Sequence, residues 1–485
     1  MRLRPAAVSS ILCLLCPFAP LLVLAAVHSL PATRAAAGEG EAPASPTPSA
    51  ADRNWAQWRG PTTAGVSLTA QPPVRWSETS NVRWKVKIPG RGTSTPIVWD
   101  DVIFLQTAIA SGPKDAAPAK PGEGGSQAGG KTGSRSEEGA SGRPRVEAPT
   151  DTHQFVLLAL DRKTGKELWR KVLREEVPHE GHHKDHGFAS SSPATDGKHV
   201  FAYFGSRGLH CLGLDGSVKW QKDLGRMQTR NSFGEGSSPV LHGSSIVINW
   251  DHQGDDFIAA FDKETGRELW RKSRDEDTTW STPLIVQRSD ATEVVTAASR
   301  RVRSYDLATG EQLWECGGLT SNVIPSPVAL RDLVFVTSGY RGSALLAVRL
   351  GRKGDLTGTE AVAWSVSKST PYVPSPLLYG DRLYFCASNN AIISCHDAAT
   401  GRAHVAAQRL EGLEGVYASP VGAAGRVYIV GRNGATVVVR HPAAGDKAEV
   451  LATNLLDERI DASPALSEKD LFLRGHEHLY CLAEM

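Results

Sequence analysis

The chain has 485 residues, more than one ordinary hydrophobic core supports, so it contains either several domains or a repeat architecture. Its formal net charge of +2 at pH 7 is close to neutral for this length. This charge excludes the strongly basic class of nucleic-acid-binding proteins, and no nucleic acid is expected as a partner.

The N-terminus has the pattern of a secretory signal peptide. Two arginines precede the apolar run ILCLLCPFAPLLVLAAV, and Ala35 and Ala37 have the spacing of a cleavage site before Gly38. We therefore predict a signal peptide over residues 1–37 and a periplasmic or secreted mature chain. The alternative is an N-terminal membrane anchor, because the run approaches spanning length. No other segment is apolar and long enough to span, so no membrane span is expected in the mature chain.

Two stretches are too poor in large apolar residues to form a packed core. Residues 38–53, which begin GEGEAPASPTPSAA, read as a disordered linker. Residues from about 110 to 152 are rich in Gly, Pro and charge, and they interrupt a hairpin between VIFLQTA and FVLLALD. We predict that this second stretch is a disordered insertion within the folded domain at 54–485.

A Ser-Pro or Thr-Pro pair recurs along the rest of the chain. The pairs end at Pro96, Pro193, Pro239, Pro283, Pro327, Pro376, Pro420 and Pro464. From the second pair onward the spacings are 46, 44, 44, 49, 44 and 44 residues, and the first spacing of 97 includes the insertion. Several short apolar or β-branched strands follow each pair. The pattern predicts an all-β fold, an eight-bladed β-propeller of four-stranded antiparallel blades.

A second motif marks the outer strand of the blades. The clearest copies are ALDRKTGKELW, AFDKETGRELW and SYDLATGEQLW, and weaker copies end at Trp220 and His404. Asp caps the turn, Gly takes the positive φ, and Trp anchors the outer strand by burying its ring. The predicted structural docking residues are Trp84, Trp169, Trp220, Trp270, Trp314 and Trp364.

The ends of the chain indicate how the ring closes. The last repeat, ASPALSEKDLFLRGHEHLYCLAEM, has residues for only three strands, whereas NVRWKVKIPG upstream reads as an outer strand without a blade. We therefore predict that the strand around Trp84 completes the C-terminal blade and removes the exposed edges.

The cysteines give no disulfide framework. After the leader there are five, an odd number at wide spacings: Cys211, Cys316, Cys386, Cys395 and Cys481. We expect mostly buried, unpaired thiols that serve as small apolar side chains.

At the A-x-D-x-x-T-G-x-x-x-W copies, the chain resembles the tryptophan-docking repeat of the pyrroloquinoline-quinone (PQQ) type propellers. That superfamily includes quinoprotein alcohol dehydrogenases and the outer-membrane assembly factor BamB. The resemblance covers about residues 54–485 and implies the fold, because the repeated Asp, Gly and Trp hold blades together. The whole chain looks most like the uncharacterised secreted PQQ-binding-like β-propeller repeat proteins, with which it shares WAQWRGP from Trp55 to Pro61.

The resemblance also implies what a quinone site would require. Family quinoproteins carry two adjacent, disulfide-bonded cysteines over the quinone, a Trp beneath it, and calcium held by Glu, Asn and Asp. No two cysteines are adjacent after the leader, and the acids and the Trp cannot be assigned by motif. We expect no required cofactor, with PQQ or a divalent metal as the alternative.

Strand order predicts which face binds ligands. Loops that precede the Ser/Thr-Pro pairs share a face with the turns between the second and third strands, so both surround one mouth of the channel. The predicted ligand-binding face comprises Arg91, Arg207, Arg230, Asn231, Glu235, Asp251, Trp280, Arg301, Asn322, Arg341, Tyr372, Tyr417, Arg432, Asp461 and Arg474. Arginine recurs in five equivalent turns, which either promotes solubility or forms a basic collar for carboxylate, sulfate or phosphate groups.

One loop of this face carries an H-E-x-x-H pattern in EEVPHEGHHKDHGFASSSP. Zinc hydrolases use this pattern on a helix, but Pro178, Gly181 and Gly187 oppose a sustained helix here. We interpret the segment as a polar, pH-sensitive loop between blades. A looser metal site built from His179, His182, His183 and His186 is the alternative.

The combined pattern favours an exported, monomeric scaffold that binds protein, peptide or glycan ligands through its loop-rich face. No catalytic residue is assigned, because no nucleophile, acid–base pair or phosphate loop stands out. The alternative is a periplasmic quinoprotein-type oxidoreductase or a metal-dependent enzyme that uses the channel mouth.

Overall fold

The computed structural model describes residues 49–112, 145–443 and 445–485, and these contain eight sheets, each with four antiparallel strands. The helix α1 (Ala50–Arg53) and the strand β1 (Val82–Lys87) precede the first complete blade. The predicted eight-bladed β-propeller is confirmed.

The first four blades follow one another along the chain. Blade one contains β2 (Ile97–Trp99), β3 (Val102–Ala110), β4 (His153–Asp161) and β5 (Glu167–Glu176). Blade two contains β6 (Ala194–Thr195), β7 (His199–Tyr203), β8 (Leu209–Gly213) and β9 (Val218–Lys222). Blade three contains β10 (Val240–His242), β11 (Ser245–Trp250), β12 (Phe257–Asp262) and β13 (Glu268–Ser273). Blade four contains β14 (Leu284–Gln287), β15 (Thr292–Thr296), β16 (Val302–Asp306) and β17 (Gln312–Cys316).

The remaining blades complete the ring. Blade five contains β18 (Val328–Leu330), β19 (Leu333–Ser338), β20 (Ala344–Arg349) and β22 (Val362–Val366), with β21 (Gly354–Asp355) between the last two. Blade six contains β23 (Leu377–Tyr379), β24 (Arg382–Cys386), β25 (Ile392–Asp397) and β26 (Ala403–Arg409). Blade seven contains β27 (Val421–Ala423), β28 (Arg426–Val430), β29 (Ala435–Arg440) and β30 (Val450–Leu455). Blade eight contains β31 (Ala465–Ser467), β32 (Asp470–Arg474), β33 (His478–Leu482) and β1.

The hydrophobic core lies between neighbouring blades. One cluster joins blades two and three through Phe201 and Ile248, and another joins blades five and six through Phe335 and Phe385. Second and third strands are therefore covered on both faces, and every residue of β7 is buried. The outer strands face solvent, which accounts for the charged sequence ELWRKVLREE of β5.

Ring closure occurs as the sequence predicts. Strand β1 pairs antiparallel with β33, with Trp84 opposite Cys481 and Lys87 opposite His478. The Trp84 ring lies 6.1 Å from that of Phe472 in the same blade. A segment from near the start of the described chain thus completes the last blade, which leaves no blade without its fourth strand.

The docking tryptophans join each blade to the next one. The Trp270 indole N–H donates to the carbonyl of Leu307 at 2.7 Å, in the turn of the following blade. A Cβ built on Gly310 of that turn would lie 2.6 Å from the indole, so the ring occupies the space that glycine leaves open. The same donation is made by Trp84 to Arg162, Trp169 to Leu214, Trp220 to Lys263 and Trp364 to Ala398.

Two positions differ from the predicted docking pattern. Trp314 is fully buried and donates to Glu293 of its own blade at 2.8 Å, because residues 350–361 replace the short turn of the next blade. Within this longer connection, β21 pairs in parallel with β17 and gives blade four a fifth strand. In blade six the register places Val405, and not His404, at the tryptophan position opposite Cys395.

The Ser/Thr-Pro pairs form a ring of hydrogen bonds around the channel. The backbone N–H of Ser326 donates to Ser375 Oγ at 2.9 Å, and that of Ser375 donates to Ser419 Oγ at 2.9 Å. The same bond links Thr95 to Ser192, Ser192 to Ser238, Ser238 to Thr282, Thr282 to Ser326, and Ser419 to Ser463. Seven of the eight hydroxyls thus satisfy an N–H of the preceding blade, which explains why the repeat recurs. Thr95 Oγ1 has no hydrogen-bond partner among the described residues.

The segment 55–67 crosses the channel beneath this ring. Trp55 pairs with Val98 of blade one, the carbonyl of Ala56 accepts from Thr195 of blade two, and Ser67 donates to Gly422 of blade seven. Arg59 is buried and donates to the carbonyls of Pro376 and Pro420, both at 2.8 Å. One short segment thus ties together the inner strands of blades that lie on opposite sides of the channel.

Several predictions concern residues at or beyond the described ranges. The signal peptide at 1–37, residues 38–48 of the linker and residues 113–144 of the insertion lie outside the described residues. The rest of the predicted linker is not disordered, because Ser49 caps α1 through reciprocal bonds with Asp52. The end of the insertion is also ordered, since Val146 donates from its backbone to the carbonyl of Asn231 at 3.0 Å.

Burial of the cysteines and the absence of a helical span were also predicted. The five cysteines of the described ranges are all buried and unpaired. Within the same ranges, no helix has the length and apolar character needed to cross a membrane.

Candidate functional site

A cavity of about 340 Å³ opens at the predicted mouth of the channel, a volume within the usual range of small-molecule sites. We call it the cup. Its lining residues are Trp58, Thr93, His183, Asp185, His186, Ser190, Phe233, Gly236, Ser238, Trp280, Thr282, Asn322, Ile324, Ser326, Tyr340, Tyr372, Val373, Ser375, Tyr417, Ser419, Asp461 and Ser463. They come from the loops before the Ser/Thr-Pro pairs, from the pairs themselves, from the segment that crosses the channel and, for Tyr340, from the turn between β19 and β20.

Trp58 forms the floor of the cup. Its indole N–H donates to Ser326 Oγ in the hydroxyl ring at 3.0 Å. Below it, Arg59 donates to the proline carbonyls of two neighbouring pairs, those of Pro376 and Pro420. The channel is therefore closed at this level, and the cavity is open only on the side of the loops.

Aromatic rings form much of the wall. Tyr340 and Tyr372 stack with centroids 5.1 Å apart and an interplanar angle of 28°. Trp280 is fixed by two bonds: its indole N–H donates to the Gly234 carbonyl at 2.7 Å, and its backbone N–H donates to the Val323 carbonyl at 3.0 Å. The rings are held in place before any ligand binds, which lowers the entropic cost of binding.

Polar groups at the base of the wall have unused hydrogen-bonding capacity. Ser375, Ser419 and other ring hydroxyls accept an N–H through oxygen, so their own protons remain available for donation. Asn322 is 5% exposed, has a φ of 57°, and has a buried Oδ1 without a hydrogen-bond partner among the described residues. The cup thus offers hydroxyl donors and one amide acceptor.

The acidic side of the cup is electrically balanced. Arg432 donates to Asp185 at 2.8 Å and to Asp461 at 2.7 Å, and Arg459 bonds to the same two carboxylates at 2.7 and 3.0 Å. The Arg432 guanidinium also lies 3.7 Å above the Tyr417 ring, and burial raises the pKa of that tyrosine. Two carboxylates and two guanidinium groups form one network, which leaves no net charge on this wall.

The four predicted metal-ligating histidines do not converge on one point. His179 bonds through Nε2 to the Met227 carbonyl at 2.7 Å, and His182 bonds through Nδ1 to the His183 carbonyl at 2.8 Å. His186 bonds to the Gly187 carbonyl at 2.9 Å, and burial lowers its pKa to about 4. Of the residues that the structure describes, one group of three or more metal-ligating side chains has its ligand atoms within 4.8 Å of one another: Asp196, His199 and Glu264.

That group joins the turn between the first two strands of blade two to the turn between β12 and β13 of blade three, and lysines pair with its carboxylates. Asp196 pairs with Lys263 at 2.8 Å, and Glu264 pairs with Lys198 at 3.0 Å. The ammonium groups already neutralise the carboxylates, so the cluster is explained as a surface ion-pair network.

The structure brings together seven residues of the predicted sites in the cup. They are His183, His186, Trp280, Asn322, Tyr372, Tyr417 and Asp461. Arg432 lies directly behind them and orients the two aspartates.

The predicted basic collar is not formed, because most of its arginines are buried or ion-paired. Arg474 is 2% exposed and donates to the carbonyls of Ser94 and Gln106, and burial lowers its pKa to about 9. Arg207 is buried against Glu176 and Glu235, at 3.3 and 3.0 Å. Both arginines lie in turns that the sequence predicts to be exposed, and no sequence pattern indicates these partners.

The other predicted residues have local roles. Asp251 is buried in a pair with Arg274 at 2.6 Å, and Arg301 bonds to Asp355 and Thr357 of the long connection in blade five. Arg91 lines a separate groove, Arg230 and Asn231 form a 3₁₀ turn, Glu235 holds Arg207, and Arg341 is exposed beside Tyr340.

Sequence reasoning missed other lining residues, chiefly Trp58, Asp185, Phe233 and Tyr340. Tyr340 could have been found, since it directly precedes the turn arginine Arg341 that the sequence singled out. Trp58 lies in the WAQWRGP segment, but nothing in the repeat indicates that this segment enters the channel.

PQQ does not fit the cup. It is a planar tricarboxylate, yet the described lining residues include two aspartates and no lysine or arginine. The nearest guanidinium groups, Arg432 and Arg459, are already shared between those aspartates. The cysteines of the described ranges are unpaired, so no disulfide lies over the cavity. Calcium would have to compete with arginine for both carboxylates.

Comparisons with known proteins place the fold. Among solved structures, a quinohemoprotein alcohol dehydrogenase from Comamonas testosteroni is similar with a TM-score of 0.57 and 10% identity, over 89% of this chain and 80% of that chain. A europium-containing methanol dehydrogenase has a TM-score of 0.54 and 10% identity, over 88% and 90%. BamB from Moraxella catarrhalis has a TM-score of 0.47 and 12% identity, over 70% and 96%. At such identities the likeness shows the fold alone.

Sequence comparison gives the family. A search of curated protein sequences gave no match. The family model described as outer membrane protein assembly factor BamB matches residues 153–402 and 254–484. Together these matches span well over half of the chain, and the chain therefore belongs to this BamB-type family of PQQ-like β-propellers.

Proposed function

We propose that the protein is an exported scaffold that binds its ligand or partner through the mouth face, with the cup as the central binding site. The single observation that carries this proposal is the cup itself: a cavity closed by Trp58 and lined by fixed aromatic rings and hydroxyls. A concave, preformed site with a few convergent polar groups is the usual form of a ligand site.

The chemistry of the cup favours binding over catalysis. Both lining carboxylates are held by arginines, and the His186 imidazole is bonded to a backbone carbonyl. A general acid or base needs a group that is free to exchange a proton with a substrate. Of the described lining residues, His183 lies 3.9 Å from Asp185, but that carboxylate is already held by Arg432 and Arg459. The poor fit of PQQ gives the oxidoreductase alternative no support.

The location and oligomeric state form part of the same proposal. The apolar leader followed by small residues supports export to the periplasm or the medium. Since ring closure pairs β1 with β33 within one chain, the propeller is complete as a monomer. A scaffold of this type exposes its whole mouth face to a protein, peptide or glycan.

Affinity capture with a matched pair of variants tests the proposal. The full chain, expressed in its native host, is used as bait beside a Tyr340→Ala/Tyr372→Ala variant and a Leu168→Ala/Leu455→Ala control. The control replaces side chains that are 52% and 59% exposed on outer strands. We expect the captured material to be lost with the tyrosine variant and retained with the control.

Capture that is equal for all three proteins would contradict the proposed face. Elemental analysis and the absorption spectrum of the same preparation provide a second test. A stoichiometric metal or a quinone absorption band would contradict the scaffold and favour the enzyme.

A further inference from the structure

We infer that the cup holds the neutral terminal saccharide unit of a glycan. This inference rests on the proposed function and names the ligand class for the same site. It follows from the shape of the cup, its charge balance, and the arrangement of its aromatic and polar groups.

The shape selects the end of a ligand chain. Trp58 and the segment below it close the channel, so a ligand enters from the mouth and stops at the hydroxyl ring. An extended chain cannot pass through, and only a terminal unit or a small free molecule reaches the floor.

The charge balance argues against the end of a peptide. A peptide ends in an ammonium or a carboxylate group, and burial of either requires an unpaired opposite charge. In the cup, Asp185 and Asp461 are each bonded to both Arg432 and Arg459. The same balance disfavours nucleotides and other phosphorylated ligands, because the described lining residues include no lysine or arginine.

The remaining groups match the two kinds of surface on a sugar ring. A pyranose has a C–H face, which packs on aromatic rings such as Trp280 and the stacked pair Tyr340 and Tyr372. Its hydroxyl groups both donate and accept hydrogen bonds. The hydroxyls of Ser375 and Ser419, in the Ser/Thr-Pro pairs around the channel, can donate, and the buried Asn322 Oδ1 can accept.

Asn322 provides a test with little disturbance of the backbone. Its φ of 57° is one that glycine adopts without strain, so Asn322→Gly removes the amide and keeps the turn. Ser369 has a φ of 56° and is exposed outside the cup, so Ser369→Gly is the matched control.

Saturation-transfer NMR and titration calorimetry measure binding to the full chain. The probes are the methyl glycosides of glucose, galactose, mannose and N-acetylglucosamine, their disaccharides, glucuronic acid, and tripeptides with free ends. We expect at least one neutral glycoside to bind, an affinity at least about tenfold lower in Asn322→Gly, as for loss of a buried hydrogen bond, and no change in Ser369→Gly.

The outcomes separate this inference from the proposed function. If no neutral saccharide binds while capture still depends on Tyr340 and Tyr372, the ligand class is wrong and the binding site stands. Tighter binding of glucuronic acid or of a tripeptide than of every neutral glycoside would also overturn the inference. If capture is independent of the cup, the proposed function itself fails.

Discussion

At the scale of single residues, Arg59 shows how the N-terminal segment is held in the channel. Its guanidinium is buried and donates to the carbonyls of Ala64, Pro376 and Pro420. Burial lowers the pKa of this arginine to about 9, so the group stays charged at neutral pH. The carbonyl dipoles of two blades replace the water that the charge loses.

We predict that Arg59→Met lowers the free energy of unfolding by about 2–4 kcal/mol, because it leaves buried carbonyls without their charged donor. Urea denaturation checks the value, and Arg267→Met, at an exposed position on the surface of blade three, is the control. Equal stability of the Arg59→Met and Arg267→Met variants would show that the segment does not depend on this side chain.

His441 gives the fold a specific pH dependence. Its ring stacks on Tyr379 with centroids 3.7 Å apart, and its Nδ1 lies 3.0 Å from the hydroxyl of Tyr384. Burial lowers the pKa of His441 from 6.5 to about 4, with the Arg382 charge adding to this shift and Asp381 opposing it. As pH falls below 6.5 the unfolded chain binds the proton first, so this contribution to stability is lost between pH 6.5 and about 4.

We therefore predict that His441→Gln reduces the loss of stability between pH 7 and about pH 4.5, by on the order of 1–2 kcal/mol after allowance for partial exposure. Chemical denaturation at the two pH values measures it, and His242→Gln is the control. An unchanged pH dependence in the His441→Gln variant would mean that the histidine binds its proton equally well in both states.

Residue-level prediction succeeded where the repeat fixes the position. Trp280 and Asn322 were expected at the mouth because they lie in loops that lead into a Ser/Thr-Pro pair, and both line the cup. Exposure of the turn arginines could not be predicted in this way, because Arg207 is buried by Glu176 at the end of β5 and by Glu235 from another loop. Contacts between loops depend on the fold and leave no periodic signal in the sequence.

At the scale of structural elements, the contact between a tryptophan and the turn of the next blade is the repeated unit of assembly. The strands were predictable because the motif places Asp, Gly and Trp in register. The exception at Trp314 follows from the connection at 350–361, which has no such turn and instead supplies β21. The sequence signalled only a longer spacing there, of 49 residues.

Alanine substitutions at two glycines distinguish the contribution of this packing to stability from that of backbone strain. Gly310 and Gly358 have φ values of 73° and 69°, so alanine costs each a similar backbone penalty. A Cβ on Gly310 would meet Trp270, whereas a Cβ on Gly358 would meet nothing within 4 Å. We predict that Gly310→Ala lowers the free energy of unfolding by about 1–3 kcal/mol more than Gly358→Ala.

Thermal or urea denaturation of the two variants gives this difference directly. Equal destabilisation would mean that the indole moves aside at little cost and that glycine is needed at this turn only for its φ.

At the scale of the whole molecule, the ring closes at one seam, the contact between blade eight and blade one. There the N-terminal strand β1 pairs with the C-terminal strand β33. At this seam Trp84 donates to Arg162 at 2.9 Å, and Trp364 makes the same kind of contact, to Ala398 at 3.1 Å, in the middle of the chain. We predict that Trp84→Ala and Trp364→Ala each lower the free energy of unfolding by about 3–5 kcal/mol. Only Trp84→Ala should also open the paired strands β1 and β33 locally.

Hydrogen exchange of the two variants distinguishes local opening from general loss of stability. Faster exchange confined to β1, β33 and the adjoining blade one is expected for Trp84→Ala. Identical exchange patterns would contradict a special role for the seam.

The overall architecture was predictable, but the closed cup was not. The eight Ser/Thr-Pro pairs predict eight blades, and the strand β1, which has no blade of its own in sequence order, predicts that the ring is closed. The cup exists because residues 55–67 cross the channel and contact inner strands from several blades. These contacts join positions more than 300 residues apart, as between Arg59 and Pro420. Because the segment occurs only once in the chain, no repeat pattern predicts where it lies in the fold.

The central claim is that ligand binding takes place in the cup at the mouth of the propeller. Hydrogen exchange of the full chain, measured with and without the captured material, tests it most directly. We predict protection of the loops that carry Trp280, Asn322, Tyr372 and Tyr417, with unchanged exchange in the outer strands β5 and β30. Protection of those outer strands, with the mouth loops unchanged, would contradict the claim.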